Sequence, residues 1–257
     1  MMSFSPTKVL LSAAMMLTLS ACGPGIPVLP DDPENEPVAT SPNDNNGQST
    51  EGERDLPSIT PPAVTPPAET TPPPIAGSDE EILKLYDYLD PSHLVPTKKL
   101  EAAVLYFHKN KSKFKNQTVI SVIDFSQKST QKRWYFINMS TGSVWNIHVS
   151  HGKGSDSNHD GFAEKFSNVS GSNASSVGFY KTAETYQGSN GYSLKLDGLS
   201  STNSNARPRA IVVHGAAYVQ DSAVVQGRSW GCPAVSSTNR DKVINMIKGG
   251  SLIYAMN

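Results

Sequence analysis

Cysteine is scarce in this chain of 257 residues, which has only Cys22 and Cys232. Cys22 follows Leu19-Ser20-Ala21 at the end of an apolar run. That pattern is typical of a lipid-attachment cleavage site, so we expect the Cys22 sulfur to carry a diacylglycerol. No second cysteine then remains to form an intramolecular disulfide with Cys232, which excludes a fold held by disulfides. A lone thiol in an exported protein is retained more often for reactivity than for packing, so Cys232 is a predicted nucleophile.

Long apolar runs are also lacking, because no segment after residue 21 approaches eighteen consecutive apolar residues. Residues 1–21 place Lys8 ahead of the apolar segment Val9–Leu19, which is too short to span a bilayer and predicts a cleaved signal peptide. We therefore expect a mature chain that begins at Cys22 and is attached to the membrane by lipid. Gly23, rather than aspartate, follows that cysteine, which favours the outer membrane by resemblance to Gram-negative lipoprotein sorting.

Residues 23–78 have almost no aromatic or branched apolar side chains and are rich in proline, threonine and acids. This segment carries nine acidic residues and one basic residue, Arg54, a net charge of 1 − 9 = −8. A segment of this composition buries too little apolar surface to fold. Residues 22–78 are therefore predicted to be a lipidated cysteine followed by a disordered, extended linker, which would act as a spacer from the membrane.

Acidic excess is absent from residues 79–257, where twenty basic residues outnumber fourteen acidic ones and give a net charge of +6. A basic domain favours a polyanionic or carboxylate-bearing partner. Nucleic acid is not expected as a partner, because the chain has no recognised nucleic-acid motif and an exported lipoprotein rarely meets nucleic acid.

Hydrophobic spacing predicts two parts in this basic region. Helical spacing over Asp79–Leu89 and Thr97–Phe114 predicts an N-terminal helical segment, residues 79–117. From residue 118 to residue 257 the pattern is mainly that of strands, with one helix at Asn239–Lys248 capped by Ser237 or Thr238. The predicted strands are Val119–Phe125, Trp134–Met139, Gly142–Ser150, Gly178–Ala183, Tyr192–Leu196, Ala210–His214 and Leu252–Ala255. The fold class is therefore α+β and mostly β, and the long polar segment His151–Ser176 is predicted to be a functional loop.

Cys232 needs a base or a positive field beside it, because a cysteine thiol with a pKa near 8.5 is only slightly ionised at neutral pH. His214 is the natural candidate, since it ends a run of apolar β-formers and is followed by Gly215, which allows a sharp turn. We expect the imidazole to lie at the exposed end of a strand, with the Gly215 carbonyl orienting it. The alternative is a core histidine and a buried, inert cysteine.

The residues around Cys232 predict a tight turn. Ser229-Trp230-Gly231 precedes the cysteine, and glycine permits backbone geometry that other residues adopt only at a cost. The Gly231 and Cys232 amides are candidates for an oxyanion hole. Pro233 keeps Cys232 out of the helical region, so extended backbone is expected there.

A metal site is a weaker alternative. His148, His151, His159 and Asp160 lie in one stretch, but their spacing fits no common zinc pattern. No metal or cofactor is predicted.

The pair His214-Gly215 and Ser229-Trp230-Gly231-Cys232 resembles the His-Gly and Ser-x-Gly-Cys signature of the YkuD-like L,D-transpeptidase family, and Trp-Gly-Cys-Pro resembles its murein L,D-transpeptidase branch. The resemblance covers most of residues 118–257. One departure is Ala234, where the commonest family pattern has an arginine. Arg228 is the first candidate for the carboxylate-binding cation, whereas Arg207 and Arg209 are expected to lie farther from the thiol.

The resemblance implies a β-sandwich and acyl transfer on peptidoglycan tetrapeptide stems through a Cys232 thioester. His214 would be the base toward the thiol and the acid toward the leaving amine. Trp230, Tyr180 and His151 are expected to line the substrate groove. Two alternatives stay open: an L,D-carboxypeptidase that uses the same thiol with water as acceptor, and a catalytically silent lipoprotein that binds peptidoglycan.

Overall fold

The computed structural model describes residues 77–257. The predicted signal peptide, Cys22 and nearly all of the predicted linker lie outside the described residues. In the part of the chain that the structure describes, no helix combines the length and apolarity needed to cross a membrane.

The described chain contains three α-helices, one short 3-10 helix at Lys111–Lys113 and eight strands. The helices are α1 Asp79–Lys84, α2 Thr97–Lys109 and α3 Arg240–Ile247. The strands are β1 Val119–Asp124, β2 Trp134–Asn138, β3 Val144–Ile147, β4 Gly178–Gly188, β5 Gly191–Gly198, β6 Val212–Ala216, β7 Ala234–Ser236 and β8 Leu252–Met256. The predicted mostly β class is therefore confirmed.

All eight strands belong to one sheet, in the order β3-β2-β1-β8-β4-β5-β6-β7. Neighbouring strands are antiparallel except for β1 with β8 and β6 with β7, which are parallel. The β6–β7 pair lies at one edge, where His214 is opposite Ala234. This register brings the segment just before β7, which contains Cys232, alongside the strand that carries His214.

The sheet buries a different apolar cluster on each face, because successive side chains of a strand point to opposite sides. Val119 and Ile123 of β1 join one cluster, and Ile120 and Val122 join the other. Helix α3 covers the first face with Val243, Ile244 and Ile247. Helix α2 covers the second face with Ala103, Val104 and Phe107. A helix thus packs against each face, and the β6–β7 pair lies at one edge of the sheet.

Several predicted boundaries are wrong. The predicted strand Ala210–His214 begins two residues later, because Ala210 has a φ of 53° and is exposed in a turn. Strand β7 has only three residues and was not predicted. Helix α1 ends at Lys84 instead of Leu89, although its start is well specified by the Ser78–Glu81 capping box. Helix α3 has Asn239 as its N-cap, with no side-chain capping bond from Ser237 or Thr238.

Candidate active site

The Cys232 turn is closed by the hydroxyl of Ser229. Ser229 Oγ accepts a hydrogen bond from the Gly231 amide at 3.1 Å and donates one to the Cys232 carbonyl at 2.7 Å. One short side chain therefore binds the backbone on both sides of the Gly231-Cys232 pair. The Gly231 amide is used inside the turn, so the expected oxyanion hole does not gain that donor in this geometry.

Gly231 is required by both conformation and space. Its φ of 121° lies in a region that side chains rarely adopt. A Cβ at this position would lie 2.7 Å from the Ala174 carbonyl oxygen and 3.2 Å from Nη2 of Arg209. The turn therefore packs closely against the loop that contains Ala174.

Residues 150–153 run parallel to the Cys232 turn and hold it in place. The Ser229 amide donates to the His151 carbonyl at 2.9 Å, and the Lys153 amide donates to the Ser229 carbonyl at 2.7 Å. Farther along, the Ser150 amide donates to the Ala234 carbonyl at 2.9 Å. Backbone bonds on both sides of Cys232 thus attach the turn to residues 150–153.

The Cys232 thiol lies alongside the backbone just before β6. The Val212 amide donates to Cys232 Sγ at 3.5 Å, and Sγ is 3.7 Å from the Ala210 carbonyl oxygen. Cys232 is partly exposed. A sulfur that accepts an N–H bond and reaches solvent is suited to react as a nucleophile, and it does not resemble an inert core cysteine.

His214 is in the middle of β6 rather than at the end of a strand, and its side chain is 4% exposed. Its Nδ1 lies 3.1 Å from the Gly215 carbonyl oxygen. A carbonyl oxygen only accepts, so Nδ1 carries the proton in neutral His214 and Nε2 keeps its lone pair. The expected orienting role of the Gly215 carbonyl fits this contact, and the tautomer leaves Nε2 able to take a proton.

His151 lies beneath the Cys232 turn, where it is 1% exposed and bonded through both ring nitrogens. Arg133 Nη2 donates to Nδ1 at 2.6 Å, so Nε2 carries the proton and donates to Asp156 Oδ2 at 3.0 Å. Arg133 and Asp156 are both fully buried. This position does not match the expectation that His151 lines an open groove.

The charges of this buried cluster favour a neutral His151. Burial, with the adjacent Arg133 charge, lowers the pKa of His151 from 6.5 to about 4. Burial also lowers the pKa of Arg133, to about 9, which leaves it protonated at neutral pH. Burial alone would raise the pKa of Asp156, but hydrogen bonds from His151 and from the Gly161 and Asp160 amides lower it. The result is a cation and an anion bridged by a neutral imidazole.

The other predicted substrate-binding residues occupy different depths. Tyr180 is 3% exposed, its hydroxyl bonds to Ser176, and burial raises its pKa to about 12. Trp230 is partly exposed, and Nζ of Lys153 lies 5.7 Å from its ring centroid. Arg228 donates to the Asp156 carbonyl, on the side of the turn where His151 lies. Only Trp230 and Arg228 of this group reach the surface beside the turn.

Arg209 stands next to Gly231, contrary to the expectation that it lies farther from the thiol. The chain makes this approach possible through the turn at Ala210, which no local sequence signal indicates because alanine rarely has a positive φ. Arg133 and Asp156 were not predicted as site residues either. Their contacts join segments that are distant in sequence.

The histidines weighed as metal ligands have other contacts. His148 Nε2 lies 3.1 Å from the Thr130 carbonyl oxygen, and His159 Nε2 lies 3.1 Å from that of Gln226. Within residues 77–257, no group of three or more histidine, cysteine or acidic side chains is arranged to hold a metal ion.

Several solved structures are similar to this chain, whereas no curated protein matches it. An L,D-transpeptidase from Mycobacterium smegmatis matches with a TM-score of 0.35 and 15% identity, covering 55% of this chain and 59% of that one. L,D-transpeptidase 1 of Mycobacterium tuberculosis matches with a TM-score of 0.32 and 14% identity, covering 55% and 62%. The helical cell shape determining protein Pgp2 of Campylobacter jejuni matches with a TM-score of 0.37 and 12% identity, covering 56% and 48%. The chain thus spans less than two thirds of the length of each.

The model of the L,D-transpeptidase catalytic domain family matches residues 92–256, from before α2 to the end of β8. The match includes every strand of the sheet and the segments that carry His214 and Cys232. Because it spans well over half of the chain, this protein belongs to the L,D-transpeptidase catalytic domain family.

Proposed function

We propose that the chain is a peptidoglycan L,D-transpeptidase that transfers acyl groups through a thioester on Cys232. One observation carries the proposal: the Cys232 sulfur lies beside β6, while the β6 histidine, His214, is held by the Gly215 carbonyl in the tautomer that can accept a proton. A thiol and an oriented imidazole on adjacent segments are the arrangement that nucleophilic catalysis requires.

In the first half of the reaction, Nε2 of His214 takes the thiol proton and Cys232 Sγ attacks the carbonyl that precedes the terminal D-alanine of a tetrapeptide stem. The S–C bond forms, and the C–N bond to D-alanine breaks. His214 returns the proton to the departing amine, so D-alanine leaves as a neutral amine and the stem remains as a thioester. The Cys232 amide is the proposed donor to the oxyanion.

In the second half, an amine of a neighbouring stem attacks the thioester carbonyl. His214 accepts the proton of that amine, a new C–N bond forms, and the S–C bond breaks. The proton then restores the Cys232 thiol. Water in place of the amine would make the same site a carboxypeptidase, so the product decides between the two reactions.

The substrate is proposed to lie across the exposed side of the Cys232 turn. Trp230 offers an aromatic surface there, with the Lys153 ammonium over its ring, and Arg228 lies on the same turn. A stem peptide carries carboxylates, which a guanidinium binds in a directional way. Tyr180 and His151 are buried, so we assign them support of the groove from below.

The chain is proposed to act outside the cytoplasm, anchored by a lipid on Cys22 with residues 23–78 as a linker. The sequence features of residues 1–78 support this proposal: a short apolar segment, a cysteine directly after it and a proline-rich acidic stretch.

The deciding experiment is incubation of the purified full chain with tetrapeptide-containing muropeptides, followed by chromatography and mass spectrometry. Cross-linked products and released D-alanine are expected, and Cys232→Ser, which keeps the size of the side chain, is expected to give neither. D-Alanine release without cross-links would indicate the carboxypeptidase. Unchanged muropeptides, with no acylation of Cys232 by a carbapenem, would support the silent binding protein and refute the proposal.

The base assignment has its own test. Cys232 in the folded chain should be alkylated faster at a pH of about 6.5 than in the unfolded chain, and His214→Ala should remove much of that advantage. Equal alkylation rates in the wild type and His214→Ala would show that His214 is not the base toward the thiol.

A further inference from the structure

Arg209 lies beside the nucleophile, and the family resemblance assigns it no role. It follows the exposed Pro208 and precedes Ala210, whose carbonyl oxygen is 3.7 Å from Cys232 Sγ. Its guanidinium comes within 3.2 Å of the position that a Cβ at Gly231 would occupy. Arg209 is therefore close to the thiol in two ways. It is bonded to Ala210, whose carbonyl contacts Sγ, and its guanidinium packs against Gly231, the residue before Cys232.

The guanidinium is fixed by three acceptors on one loop. Arg209 Nη1 donates to the Ser167 carbonyl at 2.6 Å. Nη2 donates to the Ala174 carbonyl at 2.6 Å and to Ser172 Oγ at 3.2 Å. The loop 167–174 belongs to the long polar segment predicted to be functional. Three bonds from one planar group leave Arg209 little freedom to move away from the site.

The same loop touches the cysteine turn directly. Ser175 Oγ accepts from the Gly152 amide at 3.0 Å and donates to the Gly231 carbonyl at 3.3 Å. The Ala174 carbonyl that accepts from Arg209 is also the atom nearest to a Cβ at Gly231. Arg209, the loop and the turn thus form one connected unit.

The backbone is strained where it brings Arg209 to this place. Ala210 has a φ of 53°, a conformation that is unfavourable for a residue with a Cβ. Ala210 is exposed, so burial of its methyl group does not compensate for that cost. Strain of this kind persists where the surrounding contacts impose it and is frequent at functional sites.

Competing groups act on the protonation of Cys232. The Ala210 carbonyl accepts from the thiol and thereby favours its neutral form, whereas the Val212 amide donates to the sulfur and favours the thiolate. Two ionisable side chains, Tyr180 on β4 and Arg209 before β6, lie close enough to the sulfur to interact with it electrostatically. Burial raises the pKa of Tyr180 to about 12, so it stays neutral, and Arg209 contributes the positive charge.

We infer that Arg209 is a positioning residue for the nucleophile: it fastens loop 167–174 to the Cys232 turn, and its positive charge stabilises the Cys232 thiolate. The inference rests on the proposed use of Cys232 as nucleophile. Partial burial strengthens the effect, because a charge that is screened little by water acts more strongly on a neighbour.

The test measures the thiol itself. The pH dependence of Cys232 alkylation by iodoacetamide, a neutral reagent, is followed in the full chain by mass spectrometry of the peptide that contains Cys232. Arg209→Gln is expected to raise the midpoint of this profile by about one pH unit and to lower the rate at pH 6.5 by about tenfold. Arg209→Lys keeps the positive charge, so its midpoint should stay close to that of the wild type.

Ser172→Ala is the matched control, because it removes one loop contact of Arg209 and keeps the charge. A merely structural role would lower the melting temperature in all three variants and leave every midpoint where it is in the wild type. That result, or an equal shift in Arg209→Gln and Ser172→Ala, would overturn the inference. If Arg209→Gln does not fold, Arg209→Met, a second neutral variant of similar length, takes its place: a midpoint raised by about one pH unit supports the role of the charge, and a wild-type midpoint refutes it.

Alkylation does not depend on peptidoglycan chemistry. If the chain fails to cross-link muropeptides but the Arg209→Gln midpoint moves, the proposed reaction is wrong while the action of Arg209 on the thiol holds. If cross-linking occurs and the midpoint does not move, the reaction holds and the inference about Arg209 is wrong.

Discussion

Replacing His151 should change how the stability of the fold depends on pH. The ring is 1% exposed and accepts a hydrogen bond from Arg133 at Nδ1, so a proton at Nδ1 would face the guanidinium N–H groups. His151→Gln keeps an acceptor and a donor of similar reach but cannot be protonated. The variant should therefore lose stability at neutral pH and gain resistance to acid relative to the wild type.

The size of the effect follows from the two protonation states. In the folded chain burial and Arg133 hold the pKa of His151 at about 4, against 6.5 without them. As the pH falls through this window, the unfolded state binds a proton that the folded state does not bind, so the folded state loses stability. Between pH 7 and pH 5 the loss from this one ring comes to about 2 kcal/mol.

Urea unfolding of the wild type and of His151→Gln at pH 7 and pH 5 measures this loss. The other ionisable groups are common to both chains, so their contributions largely cancel in the comparison. Asp156 has a lowered pKa, and its contribution is lost only at a pH below this window. Wild-type stability should fall by about 2 kcal/mol more than that of the variant between the two pH values. Equal losses in the two chains would refute the neutral, Arg133-bonded state of His151.

Three substitutions test the geometry around the thiol. Gly231→Ala places a Cβ 2.7 Å from the Ala174 carbonyl oxygen at a φ of 121°, so it should lower the free energy of unfolding by about 2–5 kcal/mol and slow Cys232 alkylation. Gly171→Ala is the control: its φ is 74° but its Cβ would lie in open space, so the loss should be about 1 kcal/mol, and equal melting temperatures of the two variants would contradict the close packing at Gly231. Ala210→Gly removes the strain at a φ of 53° and should raise the melting temperature by about 2–4 °C, and a decrease would mean that the Ala210 backbone is not strained. Arg228→Ala should lower kcat/KM on tetrapeptide stems by about tenfold to a few hundredfold, while the rate of Cys232 alkylation by a neutral reagent hardly changes. A parallel fall of kcat/KM and of the alkylation rate would mean that Arg228 only supports the turn.

Features encoded by neighbouring residues could be predicted from the sequence. The central strands β1 and β2 follow from β-branched and aromatic runs, and they begin where predicted and end one residue early. All six residues of β1 and the first four of β2 are buried, because both faces of the sheet are covered. The turn before Cys232 could likewise be expected, since Ser, Gly and Pro have local conformational preferences.

Features set by distant contacts could not be predicted. Strand β7 has three residues and exists because the backbone of residues 234–236 pairs with β6. The Arg133–His151–Asp156 cluster joins the end of the loop before β2 to the segment after β3, and no spacing along the chain indicates this contact. The place of Arg209 depends on a positive φ at Ala210, where propensity favours the opposite sign.

The buried cluster of Arg133, His151 and Asp156 and the Arg209 side chain both support the Cys232 turn, but they differ in net charge. Below the turn, Arg133 and Asp156 compensate each other through a neutral imidazole, so this side stabilises position while adding little net charge. Beside the thiol, the carbonyl acceptors of Arg209 carry no formal charge, so its positive charge is not neutralised by a carboxylate in these contacts. A thiolate on Cys232 would interact favourably with that guanidinium, whereas the acyl thioester that replaces it is neutral. In the proposed reaction the thioester therefore leaves Arg209 without this anion, and the second half returns it when the S–C bond breaks, before the proton restores the thiol.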